Sequence, residues 1–298
     1  MTSFDNKRIV FISGGGRGLA LQAVKILLTE EKDQIVIAGV RSVEAGRQAI
    51  EALVPTPAEG NVLEVVPFDL TDKATIDKAA QYVQYVSHDI VTPLIPNRST
   101  YGRLDVLINC AAIANYGDFR ATFSTNIYGT ANSDDAFIPL LEKSKDAHLV
   151  EVSSALGSSC LGAVPPQTKK MFDRDDVSRE EFDGLVQDYY TAAETKDYTP
   201  YGNAPTDFYG HYGMSKMFLN VYARALARKI QPKGISLSLV CPGYCATDLN
   251  QHQGVRSAED GARSILTSTR VPLSQTGQAW TYGKLLPFSL PAVESTKA

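Results

Sequence analysis

Tyr212 and Lys216 stand four residues apart in the segment FYGHYGMSKMFLN, a spacing that sets both side chains on one face of a helix. A phenol so placed can donate a proton, with the ammonium as the cation that tunes it. A free tyrosine has a pKa of ~10, so making it work near pH 7 requires ~4 kcal/mol. One positive charge about 4 Å away supplies roughly that amount at an effective dielectric of about 20. With 14 tyrosines and 15 lysines among 298 residues, however, chance alone produces roughly one such pair, and the chain contains one. The spacing by itself fits two ordinary helix residues equally well, so the elements around it must decide.

A second group of residues carries its own chemistry. Directly after the apolar run RIVFIS comes SGGGRGLA, with Gly14, Gly15, Gly16 and Gly18 leading into a helical pattern. Glycines there let the chain turn tightly and approach a pyrophosphate, which the following helix attracts through its N-terminal amides and dipole. A structural turn would look similar in isolation, but the position between a first strand and a first helix predicts a dinucleotide site. At the end of the second apolar run, AGVRS offers Arg41 and Ser42 where an acidic residue would grip a ribose 2′-hydroxyl. Arg17 adds a second cation, and a planar guanidinium matches the paired oxygens of a phosphate. NADP(H) is therefore expected over NAD(H), the alternative being that Arg41 points into solvent.

The elements that would position these residues are legible as a rhythm. Continuous apolar runs recur at RIVFIS, QIVIAGV, NVLEVVPF, LDVLIN, HLVEVSS and ISLSLVC, as expected for strands buried on both faces of a parallel sheet. Helical patterns lie between them, so the reading is a Rossmann-type, doubly wound α/β fold. Two stretches break the rhythm. Residues 87–103 read as an extended loop before the fourth strand. Residues 158–208 read as a helical lobe inserted after the fifth strand of a single 1–298 domain. In that lobe Ser178 and Glu181 fit a capping box ahead of Phe182, Leu185, Val186 and Tyr189 at helical spacing. The tail 291–298 reads as disordered.

Composition narrows the partner. The chain is 44% hydrophobic and 21% charged, with a net charge of -4 and no basic block, which argues against nucleic acid or an anionic membrane. The start MTSFDNKR has no signal-peptide pattern, and no apolar run reaches the length of a membrane span. Four scattered cysteines do not form a secreted disulfide framework, and with the four dispersed histidines they complete no metal set. A cytoplasmic protein with a small-molecule partner and no metal is expected.

Together these motifs resemble the short-chain dehydrogenases/reductases, which implies a sheet of about seven strands in the order 3-2-1-4-5-6-7. The family's cofactor loop reads here Ser13-Gly14-Gly15-Gly16-Arg17-Gly18-Leu19-Ala20, and its Asn-Asn-Ala-Gly stretch reads Asn109-Cys110-Ala111-Ala112. The family's helix asparagine is Asn126 in TNIYGT, its serine is Ser154 in VEVSSALG, and YGMSK supplies Tyr212 and Lys216. Its Pro-Gly signature is CPGYCATD, with Pro242, Gly243 and Thr247. Asp69 and Leu70, after the third strand, join the cofactor set that the resemblance implies. Ala20 and Ala112 replace glycines that permit close backbone packing. Ser154 and Tyr212 lie 58 positions apart, far more than in ordinary members. That gap resembles the monomeric carbonyl reductases, the subgroup that includes menthone and salutaridine reductases, and implies a monomer.

The resemblance implies an NADPH-dependent reductase of a ketone or aldehyde, extending to bulky secondary metabolites. Tyr212 would donate the proton, Ser154 would hold the substrate oxygen, Lys216 would tune the phenol and hold the nicotinamide ribose, and Asn126 would keep a relay water. Thr247 and Pro242 would position the carboxamide. Other readings stay open: imine reduction, alcohol oxidation in reverse, or a non-catalytic NADP(H)-binding redox sensor. Ser154 could instead be a strand-end cap, with Ser153 as the functional hydroxyl. Tyr116, Phe119, Tyr209, Tyr244 and Trp280 are pocket candidates that could equally fill core.

Overall fold

A computed structural model describes residues 6–84, 101–114, 118–202 and 210–291. The strands are β1 (Arg8–Ser13), β2 (Gln34–Val40), β3 (Val62–Pro67), β4 (Val106–Asn109), β5 (Ala147–Val152), β6 (Ile235–Val240), β7 (Gln278–Thr281) and the two-residue β8 (Lys284–Leu285). They form one sheet in the order β3-β2-β1-β4-β5-β6-β7-β8, parallel except for the β7–β8 hairpin. The expected seven-strand order is present, and β8 adds an antiparallel edge. The loop read at 87–103 and the tail lie largely outside the described residues.

The helices are α1 (Gly18–Thr29), α2 (Val43–Leu53), α3 (Lys73–Gln84), α4 (Phe119–Phe123), α5 (Thr130–Leu141), α6 (Ala155–Ala163), α7 (Pro166–Phe172), α8 (Arg179–Thr195), α9 (Gly210–Ile230) and α10 (Ala258–Thr267). Alternation along the strands makes two cores. Ile9 and Phe11 of β1 face Ile76 and Val83 of α3, Phe137 of α5 and Ala223 of α9. Val10 and Ile12 face Val24 of α1, Ile50 of α2 and Ile265 of α10. With helices on both faces, every residue of β2, β5 and β6 is buried, which explains their unbroken apolar character. Among the described residues no helix is long and apolar enough to cross a membrane.

A third core lies outside the sheet. The Ser178–Glu181 capping box starts α8 as expected, and Phe182, Val186 and Tyr189 pack with Phe123 and with Met214 and Phe218 of α9. Tyr189 stacks on Phe123 at 4.8 Å between centroids, and Phe172 meets Phe218 edge-on at 4.8 Å. Helices α6 and α8 therefore brace the helix that carries Tyr212 and Lys216.

The tightest point of this brace is Gly157 of α6. A Cβ there would lie 2.7 Å from the carbonyl carbon and oxygen of Lys216, so only glycine lets α6 reach the α9 backbone. Gly157→Ala is expected to destabilise the protein by about 1–3 kcal/mol through overpacking, read as a lowered midpoint in denaturant unfolding.

Candidate active site

The sheet order reverses between β1 and β4, and ligands of open α/β sheets bind at such a switch point, outside the carboxyl ends of the strands. Gly14 takes φ +77° there, and a Cβ on it would sit 3.2 Å from that of Ala111. The turn thus needs glycine both for its backbone and for its closeness to the Asn109–Ala112 stretch. Beyond it opens a cleft of ≈ 520 Å³. Gly14, Gly16, Arg17, Gly18, Leu19, Ala111 and Thr247 line it. Arg41, Ser42, Asp69 and Leu70 also line it.

The cleft fits a dinucleotide phosphate on three observations. No side chain caps the N-terminus of α1, so its first amides remain for an anion. The exposed Arg17 and Arg41 line the cleft, and no acidic residue closes the end of β2. Of the two acids that line the cleft, Asp69 and Asp248, Asp69 has its Oδ1 engaged by the Thr71 amide at 2.9 Å and hydroxyl at 2.8 Å. Ser42 lines the cleft while its Oγ accepts from the Ala45 amide at 3.4 Å, capping α2.

Other expected cofactor residues serve the frame. Ser13 is fully buried, and its Oγ accepts from the amides of Cys110 and Ala111, both at 3.0 Å, clamping the end of β1 to that of β4. Asn109 is likewise buried among internal partners. The Pro242 carbonyl accepts from the Tyr282 hydroxyl, and Gly243 at φ +84° leaves room for that ring. Nothing in the motifs points to Val40, Phe68 or Ile113, which also line the cleft; their apolar type alone marks them as core.

Of the proposed reacting groups, Tyr212 and Lys216 stand together on α9, and Lys216 reaches the end of β5. Lys216 is 3% exposed, and its Nζ donates to the Val152 carbonyl at 2.7 Å. The same Nζ lies 5.8 Å from the centroid of the half-buried Tyr212 ring. Burial pulls the ammonium down to about 8, opposed chiefly by the charge of Glu151. Asn126 sits in a π-helical turn, Ser124–Gly129, between α4 and α5, a geometry often found at functional sites. Its Oδ1 accepts from the Ile113 amide at 2.9 Å, while Nδ2 donates to the Ile113 carbonyl at 2.9 Å and to Ser215 Oγ at 3.1 Å. The Ser215 hydroxyl donates in turn to the Tyr212 carbonyl at 2.7 Å. Asn126 thereby ties the loop after β4 to the first turn of α9.

The two adjacent serines separate cleanly. Ser153 is buried and donates to Asn220 Oδ1 at 2.6 Å, a structural bond. Ser154 is the N-cap of α6 and is half-buried; its Oγ accepts from the Leu156 amide at 3.2 Å, which leaves its own hydrogen for another acceptor. Ser154 is thus a cap and an available hydroxyl at once.

The family whose description is "short chain dehydrogenase" matches residues 8–165 and 199–257, more than half of the chain. The chain belongs to the short-chain dehydrogenases. The interval between the two matched stretches, 166–198, contains the whole of α7 and α8. Relatives of the chain include a (+)-neomenthol dehydrogenase of Capsicum annuum, 25% identical over 94% of this chain and 97% of that one. Carbonyl reductase [NADPH] 1 of Sus scrofa is 26% identical over 92% of this chain and 90% of its own length. The fold matches that of salutaridine reductase from Papaver somniferum with a TM-score of 0.75, at 23% identity, covering 92% of this chain and 99% of that one.

Of the aromatic pocket candidates, Trp280 is buried on β7 and Tyr244 is exposed. Phe119 packs on Tyr190 and His211, while Tyr116 and Tyr209 lie outside the described residues. His211, unmarked by any motif, accepts or shares a proton with Tyr189 of α8 at 2.7 Å through Nδ1. That bond fastens the first turn of α9 to the α8 brace.

The serine assignment has a direct check. Ser153→Ala should cost about 1–3 kcal/mol of stability by leaving Asn220 unpaired in the interior, whereas Ser154→Ala should cost only about 1 kcal/mol as a lost cap. Parallel urea titrations of the two variants measure the difference; equal losses would undo the division of roles.

Proposed function

We propose that this protein is an NADP(H)-dependent reductase that converts a ketone or aldehyde carbonyl to an alcohol. The observation that carries this reading is the buried Lys216 ammonium, anchored on the Val152 carbonyl beside the Tyr212 ring. The names of the relatives, which include a carbonyl reductase and a neomenthol dehydrogenase, support the carbonyl class and suggest a bulky secondary metabolite.

Arg17, Arg41 and Ser42 would hold the 2′-phosphate, the Gly14–Leu19 turn the pyrophosphate, and Pro242, Gly243 and Thr247 the carboxamide end. The bound nicotinamide supplies the hydride. Tyr212 gives its phenolic proton to the carbonyl oxygen as that oxygen gains charge. The Ser154 hydroxyl donates to the same oxygen and orients it, an oxyanion-type role. Lys216 keeps a positive charge beside the phenol and so eases release of the proton. Asn126 holds the start of α9 in register and keeps the relay water of the resemblance. Residues 158–208, of which 203–208 lie outside the described residues, are read as the inserted lobe, shaping the substrate side and covering the face that other members of the family use to pair, so a monomer is proposed.

Following NADPH absorbance against ketones, aldehydes and cyclic imines tests the reading. Tyr212→Phe should lower turnover by about 10²–10⁴-fold; unchanged turnover would remove Tyr212 as the donor. NADPH binding without turnover on any substrate would favour a sensor instead.

Cofactor choice is tested separately. Arg41→Ala should raise the KM for NADPH by about 10–100-fold, the worth of a charge-assisted hydrogen bond, and leave NADH use unchanged. Equal wild-type rates with NADH and NADPH would contradict the phosphate assignment.

A further inference from the structure

Behind Lys216, away from the cleft, lies a closed polar cluster that no step above uses. Asp134 of α5 and Glu151 of β5 are both fully buried. Asn109, at the end of β4, donates from its single Nδ2 to Asp134 Oδ1 and to Glu151 Oε1, each at 2.8 Å, and accepts from Ser133 Oγ at 2.9 Å. The two carboxyl oxygens, both acceptors, call for Nδ2 on their side, and the serine hydroxyl is left to the amide oxygen. Tyr222 of α9 donates to Asp134 Oδ2 at 3.0 Å. That completes the supply of donors, and Glu151 Oε2 remains buried without one.

One amide nitrogen holds an oxygen of each carboxyl at 2.8 Å, and two carboxylates brought that close offer each other only acceptors unless a proton lies between them. A single proton answers both problems: it gives Oε2 a role and removes one of two like charges from a space without water. Burial pushes both carboxyls upward, and Asp134 is pushed further by the Glu151 charge. We propose that Asp134 and Glu151 share one proton and that the pair, as one buried anion, is the counter-charge that keeps Lys216 positive. Both are positioning residues, since neither faces the cleft.

The other groups around the lysine do not supply this charge. Tyr212 on α9 is the group being tuned, and the Cys110 thiol after β4 is pushed up to about 12 by burial, so it stays neutral. Cys241 after β6 is the remaining titratable neighbour, and the exposed Asp135 on α5 acts on the pair only through its charge, which raises Asp134.

The catalytic meaning of the pair rests on the proposed role of Lys216, but its titration does not. In protein carrying 13C-labelled lysine, the Lys216 signal would be assigned by its loss in Lys216→Arg and followed with pH. An amide imitates a protonated acid, so Asp134→Asn and Glu151→Gln each leave one anion and should move the Lys216 midpoint by less than about half a pH unit. The double variant leaves none and should lower it by about one pH unit or more. A large drop in both single variants would mean two charges, and no drop in the double variant would mean none; either overturns the proposal. Should the double variant not fold, carboxyl 13C titration of the wild type decides: one of the two buried carboxyls must remain protonated through pH 7. A lysine that follows the pair in an enzyme insensitive to Tyr212→Phe would leave this inference standing and remove the reading of Tyr212.

Discussion

An ammonium group almost wholly withdrawn from water is the constraint around which this protein is arranged. Burying an ion costs several kcal/mol unless nearby groups replace its hydration. Lys216 has the Val152 carbonyl at the end of β5 as one such group and the Glu151 charge as another. Both come from one strand, so α9 must lie close over the end of β5, and it does so only because α6 can approach it at Gly157. The position of the charge and the packing of the helices are therefore one problem with one solution.

The same arrangement explains the two ends of the site. On the cleft side, the glycine turn after β1 is tied by its amides to the Gly39 carbonyl, and the uncapped start of α1 leaves backbone amides for an anion. On the far side, Asn109, Asp134, Glu151 and Tyr222 join β4, β5, α5 and α9 through buried hydrogen bonds. Buried hydrogen bonds of this kind rigidify what they join, so the cluster locks the relative heights of the strands whose ends form the site. Ser13, clamped to the amides of Cys110 and Ala111, does the same for β1 and β4.

Asn126 shows how local irregularity serves the site. A regular helix through Ser124–Gly129 would present a different set of side chains inward; the π turn widens the coil by one residue at this point. Asn126 then reaches both backbone groups of Ile113 and the Ser215 hydroxyl. The α8 brace acts on the same helix from outside, through stacked aromatics and the Tyr189–His211 bond.

Much of this was legible in the sequence because it depends on short-range rules. Unbroken apolar runs follow from burial on both faces of a strand, the capping box from backbone amides at a helix start, and the glycine turn from a backbone that needs positive φ. Tyr212, Lys216, Ser154 and Asn126 could be picked out because their order matches the strand ends. What could not be read is who neighbours whom across the fold. Asp134 and Glu151 are ordinary acids in sequence, separated by a helix end and a strand, and Tyr222 is one of 14 tyrosines. Whether Ser153 or Ser154 faces outward depended on Asn220, and the side chains of Ser13 and Asn109 proved to hold the frame. The sequence by itself determined the elements, their order and the residues at their ends, since those follow from local propensity and pattern. Only the tertiary structure decided which charges meet, because burial and hydrogen-bond partners are properties of packed surfaces and not of spacing along the chain.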